Sequence, residues 1–594
     1  MRLTISLALL CLPALFAADW KPADNPLTTP WTSKVTAAHP LPEYPRPQMV
    51  RKDWINLNGL WDYAIRPQQE TAAGQYDGRL LVPFPLESAL SGVKKPLTAE
   101  QRLWYRRTFT APNLSGKHLL LHFGAVDWRA EVWVNGKAVG KHEGGYDPFT
   151  FDITAELKRH GPEEIVVAVW DPSDTGPQPR GKQVLNPNSI WYTAVSGIWQ
   201  TVWLEPVPEH YISGLAMTPD LDGRKLNLTV ESGASGEFSA TVRLAGKPVG
   251  HVAGKLNEVT PVALSEIKPW SPDTPTLYDL DISLAGGDRV AGYFGMRQVA
   301  VRQDAAGFNR IFLNGQPLFG IGPLDQGWWP DGLYTAPTDA ALRFDIETLK
   351  KLGFNMCRKH VKVEPARYYY WCDKLGLMVW QDLPSAQPRE HAGVRRDSAA
   401  DVQFTPEEDA TFRRELEALV RNLRNVTSVI AWVPFNEGWG QHDTNGILQW
   451  VKSLDASRLM DAPSGWQDRG YGDLKDMHSY PGPAMFPLVS GRASVLGEFG
   501  GLGLPIEGHL WWNKRNWGYR TFTDQATLQA GYEDLMAKLE PLVKQGLAAA
   551  VYTQTTDVEG EVNGLMTYDR KVVKFDAAKL AELHRRIIAA GAAR

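Results

Sequence analysis

The sequence predicts a multidomain α+β protein: an N-terminal jelly-roll β-sandwich, an immunoglobulin-like β-sandwich and a C-terminal (β/α)8 barrel. Three observations predict it. A length of 594 residues exceeds what one hydrophobic core usually serves. Up to about residue 302 the chain reads as short alternating strands broken by turn residues, with no helical periodicity between them. Beyond that point apolar, strand-like runs alternate with amphipathic helical stretches, the pattern of βα repeats.

Residues 1–18 read as an export signal. One cation, Arg2, precedes an apolar run from Leu3 to Phe16, and the small Ala17 and Ala18 offer a cleavage point. A secreted or periplasmic destination is therefore expected. The run is too short to span a bilayer and no later segment is apolar for long enough, so no transmembrane anchor is expected. Cys11 follows the bulky Leu10, where lipid modification would want a small residue. Only Cys357 and Cys372 remain beyond it, which indicates no disulfide framework.

Residues 19–206 form the expected jelly-roll sandwich. Its strands include Trp104 to Phe109, Leu119 to Phe123, and Ala130 to Val134, the last followed by the hairpin turn Asn135-Gly136. Residues 207–302, with Leu226 to Val230, Ala240 to Leu244 and the Pro-rich Trp270 to Pro275, fit an immunoglobulin-like sandwich. Neither module shows a charged cluster of catalytic character. From residue 303 to 594 eight strands can be counted: Leu318 to Ile321, Phe354 to Arg358, Leu377 to Gln381, Val429 to Pro434, Arg458 to Ala462, Met477 to Tyr480, Ser494 to Glu498 and Ala549 to Gln554. Helical stretches such as Asp339 to Leu352, Pro365 to Leu375 and Glu407 to Arg424 lie between them. In such a barrel the residues just past each strand's C-terminal end face the active site, so eight short windows hold the chemistry.

Composition excludes several classes. Hydrophobic residues at 43% and charged residues at 22% describe an ordinary globular chain rather than a disordered one. A net charge of -4 offers no field for polyanions, so nucleic acid is not an expected partner. The 23 Trp are many. Trp suits stacking on the C–H faces of sugars, although β-rich cores also bury it, and about half are expected there. The 13 His form no HExxH and no clustered ligand spacing, and no Gly-rich phosphate loop stands out, so neither metal nor cofactor is expected.

Two windows stand apart. The fourth ends Pro434-Phe435-Asn436-Glu437-Gly438, and the seventh ends Gly497-Glu498-Phe499-Gly500. A carboxylate at the end of an apolar strand is costly unless it is bonded or functional. Strands four and seven lie across the barrel mouth, so Glu437 and Glu498 can flank one bound group. Opposed carboxylates are what glycoside hydrolysis needs: one protonates the departing oxygen, the other attacks the anomeric carbon. The plainer alternative, that each pairs with a strand-end cation, is weaker for two such residues than for one.

The sequence resembles glycoside hydrolase family 2 over nearly the whole chain. The likeness is carried by Leu57-Asn58-Gly59-Leu60-Trp61, Gly145-Tyr146-Asp147-Pro148-Phe149, Phe294-Gly295-Met296-Arg297, Leu313-Asn314-Gly315-Gln316-Pro317, the pair Asn436-Glu437 and the run Glu498-Phe499-Gly500. The resemblance implies a retaining exo-β-glycosidase with Glu437 as acid/base and Glu498 as nucleophile. It implies that Asn436 bonds the sugar's 2-hydroxyl and that Tyr480 bonds Glu498. The family's commonest activity makes β-galactoside the first expected substrate, with arabinose, mannose, glucose or glucuronic acid as alternatives and a non-catalytic carbohydrate-binding protein as the rival of another class.

The departures bear on specificity. Arg358 is retained at the second strand, but His360 stands one position earlier than the family's histidine, so the resemblance carries no sugar contact over to it. The stretch Glu561-Val562-Asn563-Gly564, with Asp557 and Glu559, is acidic where β-glucuronidases have Asn-x-Lys, which speaks against uronates. The eighth strand has Tyr552-Thr553-Gln554 where many relatives place a Trp. Asp382, His478 and Trp466, in the third, sixth and fifth windows, are further candidates for substrate contact. A carbohydrate is the expected partner; a homo-oligomer is left open.

Overall fold

The computed structural model describes residues 20–158, 160–285, 287–388, 400–461 and 463–592. The expected export signal at 1–18 lies outside them.

The N-terminal region is a two-sheet sandwich. A six-stranded sheet runs in the order Gly78–Val82, Gly59–Pro67, Gln101–Phe109, Glu163–Trp170, Arg129–Val134, Lys137–Glu143. A four-stranded sheet runs Ile55–Asn56, Val202–Val207, His118–Phe123, Phe149–Asp152. Arg129–Val134 shows why it forms a strand: Ala130, Val132 and Val134 are buried while the residues between them are not, the period of two that a sheet face demands. Trp61, Leu121, Val132 and Val167 belong to the core between the sheets. Asn135 and Gly136 adopt φ +51° and +78°, the left-handed pair a two-residue hairpin needs.

The middle region has seven strands in two sheets. Gly214–Asp220, Lys225–Glu231 and Thr260–Ala263 form one; Lys247–Lys255, Glu237–Leu244, Tyr278–Leu284 and Arg289–Phe294 form the other. The expected boundary at 302 falls inside a strand, Val299–Gln303. That strand pairs with Asn309–Leu313 and so belongs with the chain that follows.

The C-terminal region holds eight parallel strands: β1 Gly320–Asp325, β2 Met356–Lys359, β3 Met378–Asp382, β4 Val429–Val433, β5 Leu459–Met460, β6 Leu474–Ser479, β7 Ala493–Gly500 and β8 Leu547–Thr553. Their order is β5-β4-β3-β2-β1-β8-β7-β6, and a single bridge between Asp461 and Leu474 joins the two ends into a barrel. Helices α1 Asp339–Lys351, α2 Ala366–Leu375, α3 Pro406–Leu423, α4 Thr444–Leu454, α5 Gln525–Lys544 and α6 Ala577–Ala592 surround it. Among the described residues the β5–β6 and β6–β7 connections carry no helix. α3 starts with a complete capping box: Thr405 accepts from Glu408 N, the Glu408 side chain accepts from Thr405 N, and Pro406 opens the first turn. Its buried Phe412, Leu416, Leu419, Val420 and Leu423 repeat at helical spacing and face the barrel.

β1 starts and ends later than its apolar run suggests, because Gly322-Pro323 reads as a breaker. Gly322 is instead a packing device: a Cβ there would fall 1.8 Å from the Met356 carbonyl oxygen. About half of the tryptophans, among them Trp61, Trp199, Trp270, Trp380 and Trp432, are core residues. Cys357 and Cys372 are free and buried. No helix of the described residues is long and apolar enough to cross a membrane.

Candidate active site

β4 is buried throughout and leads into Pro434-Phe435-Asn436. Asn436 bridges to Ser464, and the Glu437 N–H donates to the Ser464 carbonyl at 2.9 Å. Glu437 itself has φ +51°, followed by Gly438 at +75°. A side-chain-bearing residue in the left-handed region is a local strain of about 1–3 kcal/mol, and here it turns the carboxylate over the barrel mouth. Glu498 reaches the same place by another device. The pairing of β7 shifts register against β6 between Met477 and His478, and against β8 between Leu496 and Phe499. Such irregularities re-aim a strand's side chains. Ligand-type atoms of Glu437, Glu498 and His478 all lie within 4.8 Å of one another. An oxygen of each carboxylate thus lies within 4.8 Å of the other, closer than the roughly 6.5–9.5 Å that separates the carboxyls of inverting glycosidases.

The two carboxylates sit in unlike surroundings. The Tyr480 hydroxyl donates to Glu498 Oε2 at 2.6 Å, Arg358 Nη1 donates to Oε1 at 3.3 Å, and His478 Nδ1 lies 3.5 Å from Oε2. Burial alone would raise Glu498. His478, Arg358, the Tyr480 hydroxyl and Lys182 together outweigh it and hold the carboxyl below the ordinary glutamate value. Among the described residues the Glu437 carboxylate has one partner, His478 Nδ1 at 2.8 Å. On the far side of that ring, Nε2 lies 2.8 Å from Ser464 Oγ, which donates to Asp476. Asp476 and its neighbour Asp461 are both buried carboxyls, and burial pushes both up from the ordinary aspartate value. A small cation could touch Glu437, His478 and Glu498 at once, but it would have to displace the proton between His478 and Glu437.

Of the residues expected at the site, Asn436, Glu437, Tyr480 and Glu498 line one small pocket. Arg358, Asp382 and His478 are brought to the same place but stand behind its wall. Arg358 is fully buried; it forks onto Asp382 at 2.9 and 3.0 Å and donates to Asn436 Oδ1 at 2.6 Å. They position the lining rather than form it. Trp466 is half-buried and lies outside the lining; the wall's Trp is Trp439, whose ring meets Trp191 of the sandwich at 5.0 Å. A roomier cavity, beside Arg46, Tyr146 and Arg367, contains none of these groups.

Several lining residues had not been expected. Gln326 and Thr553 follow or end β1 and β8 and fall under the strand-end rule. Tyr519 comes from an irregular segment, stacked on Tyr480 at 3.6 Å, and Lys182 comes from the N-terminal region; no spacing in the sequence marks either. His360 lines the pocket despite its early position, with Nε2 3.6 Å from Glu498 Oε1.

The acidic stretch needs correction. Asp557 is ion-paired with Lys574 at 2.6 Å, and Glu559 accepts from the Thr193 amide and hydroxyl, so neither faces the pocket. Glu561 does line it, but its oxygens already accept from Tyr192 and Asn563. Lys182 adds a buried cation to the same wall, and among the described residues it makes no ion pair. Tyr552 does not take the place of the relatives' Trp: its ring packs against Phe499 and Tyr532 in the core.

Three family models match the chain, together over more than half of it. They are glycosyl hydrolases family 2, sugar binding domain, at residues 82–208; glycosyl hydrolases family 2 at 210–297; and glycosyl hydrolases family 2, TIM barrel domain, at 335–479. A putative β-glucuronidase of Formosa agariphila is 28% identical over 381 residues, 61% of this chain and 34% of its own length. A β-galactosidase of Thermoanaerobacter pseudethanolicus is 27% identical over 385 residues, 60% of this chain and 47% of its own. The alignments thus span a third to a half of these relatives' length. Among solved structures, the β-glucuronidase of Dictyoglomus thermophilum aligns with a TM-score of 0.71 at 18% identity, covering 91% of this chain and 98% of that one. That of Ruminococcus gnavus aligns with a TM-score of 0.73 at 16% identity, covering 92% and 100%. Motifs, three-part architecture and family models agree: the chain belongs to glycoside hydrolase family 2.

Proposed function

We propose that the protein is a retaining exo-β-glycosidase that removes a terminal β-linked sugar by double displacement. Glu498 attacks the anomeric carbon while Glu437 protonates the departing oxygen. Glu437 then takes a proton from the water that releases the sugar. The observation that carries this reading is the pair itself: two carboxylates from opposite strands, with an oxygen of each within 4.8 Å of the other, on the wall of one small pocket. The small pocket favours exo action. The depressed Glu498 favours an ionised nucleophile.

The first substrate to try is a β-galactoside, as the name of the T. pseudethanolicus relative suggests. A β-glucuronide is a second reading. It is favoured by Lys182, a buried cation on the pocket wall with no ion-pair partner among the described residues, and agrees with the name of the F. agariphila relative. A panel of p-nitrophenyl α- and β-glycosides, with the first-formed product followed by proton NMR, tests the proposal. Release of a β-configured sugar from a β-glycoside is expected. An α-configured product would refute double displacement, and no turnover across the panel would refute the enzyme. A glucuronide turned over better than every neutral glycoside, with that preference lost in Lys182→Met, would decide for the second reading.

A further inference from the structure

Glu561 ends a chain of hydrogen bonds whose polarity is forced. Its carboxylate accepts from the Tyr192 hydroxyl and, at 3.0 Å, from Asn563 Nδ2. A carboxylate only accepts, so Asn563 must present its N–H there and its oxygen to the next group. Gln554 Nε2 donates to that oxygen at 2.7 Å, and Gln326 Nε2 donates to Gln554 Oε1 at 2.8 Å. Gln326 Oε1 then meets His360 Nδ1 at 3.0 Å. An amide oxygen cannot donate, so Nδ1 carries the hydrogen. Every member of the chain is buried, so water does not scramble the order.

The consequence falls on the other ring nitrogen. Burial, with Lys182, Arg358 and His478 nearby, pushes the His360 pKa well down, so the ring is neutral and Nε2 is a bare lone pair. Among the described residues it has no hydrogen-bond partner, and Glu498 Oε1 at 3.6 Å and Asp382 Oδ2 at 3.9 Å are acceptors too. Beside it stands the Asn436 side chain, whose oxygen is held by Arg358 and whose Nδ2 is likewise buried without a partner. A bare acceptor next to a bare donor is the complement of one hydroxyl group.

We propose that Glu561 is a positioning residue acting at a distance. Three amides transmit its acceptor-only character to His360, which is thereby fixed to accept, at Nε2, the proton of the glycone hydroxyl beside the anomeric carbon, while Asn436 Nδ2 donates to the same oxygen. The inference rests on the pocket being the glycone site. It adds a fixed direction to that contact: the substrate must donate as well as accept there. It also explains an acidic residue in the wall without requiring it to touch the sugar.

The tautomer can be read without any turnover. In full-length protein carrying 15N-histidine, the His360 resonances, assigned by their loss in His360→Gln, are expected to show a protonated Nδ1 and a bare Nε2. A protonated Nε2 would overturn the proposal whatever the enzyme hydrolyses. Glu561→Gln keeps an acceptor for Asn563 and is expected to hold the same tautomer. Glu561→Ala is expected to add a second form with Nε2 protonated; a single unchanged form in Glu561→Ala would show that the chain does not transmit. For function, the best-cleaved p-nitrophenyl glycoside is compared with its 2-deoxy analogue. His360→Asn keeps the Nδ1-side donor but lacks the Nε2 acceptor, and is expected to lower kcat/KM roughly 10- to 100-fold on the parent while leaving the 2-deoxy analogue nearly unaffected. His360→Gln, with an oxygen available near the Nε2 position, should recover part of the loss. Equal losses on both substrates would overturn the hydroxyl contact.

Discussion

Glu498 and Glu437 face one pocket from opposite strands, yet their surroundings differ in kind. Glu498 is enclosed by groups that favour one state: an obligate cation at Oε1, a phenol at Oε2 and a buried histidine behind. Among the described residues the Glu437 carboxylate is reached by one group, His478, and that ring continues through Ser464 to the buried Asp476. One carboxylate is held ionised by fixed donors, while the other is bonded only to a histidine among the described residues. Double displacement asks for this division, since the nucleophile must be ionised at the start while the acid must become a base halfway through.

The largest expected effect tests the fixed side. On the proposed mechanism Glu498→Ala removes the group that forms the covalent intermediate, so activity should fall by roughly 10^4-fold or more on every substrate, whatever the leaving group. A mutant that kept normal activity on activated aryl glycosides would place the nucleophile elsewhere.

Glu437→Ala tests the changeable side and should behave differently. Loss of a general acid is worth about 10^2- to 10^4-fold, but only where the departing oxygen needs a proton. Natural glycosides should be nearly inert, while 2,4-dinitrophenyl glycosides should still load Glu498. Azide should then accelerate release and yield a β-glycosyl azide, because a small anion needs no general base. If both mutants responded alike to leaving group and azide, the division of roles would collapse.

The same contrast explains what the sequence made legible. The eight strands and both glutamates could be read because strand-end residues after apolar runs obey a short-range rule. Asn436 and Tyr480 came with the motifs. The layer behind the wall was harder. Arg358, Asp382 and His478 were visible as strand-end polar residues, but only packing decides that Arg358 is fully buried and holds the others instead of facing substrate. Lys182, Tyr519 and the partners of Glu561 could not be found, since they converge from the first sandwich and from irregular segments by tertiary contact alone. The acidic stretch was misjudged for the same reason: Lys574 neutralises Asp557 and Thr193 occupies Glu559, and neither partner is marked by spacing in the sequence. His360 shows the converse. A one-residue offset in a motif does not remove a side chain from a site when the backbone beyond the strand turns, as it does at Val361 with φ +42°.

The smallest effect sharpens the comparison by weakening the fixed side without removing it. Tyr480→Phe keeps the ring stacked on Tyr519 and deletes only the hydroxyl that donates to Glu498 Oε2, leaving the Thr553 hydroxyl that bonded it free to turn. A hydrogen bond to a charged group is worth about 1.5–3 kcal/mol, so kcat/KM should fall by roughly tenfold or somewhat more. The sign of the pH effect follows from the direction of the shift. Glu498 is depressed in the folded protein, so its ionised form stabilises the fold above the ordinary glutamate value, and that stabilisation is lost as pH falls through the depressed one. Removing one of the groups that depress it should raise the folded value. The acid limb of kcat/KM should therefore move to higher pH in Tyr480→Phe, and the mutant's excess of stability near neutrality over that at low pH should shrink. The basic limb should stay where it is, because Tyr480 bonds Glu498 and Thr553. Profiles of kcat/KM and of Tm against pH for the two proteins would check this. If the acid limb stayed in place while activity fell, Tyr480 would act by packing alone, and the claim that fixed donors hold Glu498 ionised would lose its most accessible support.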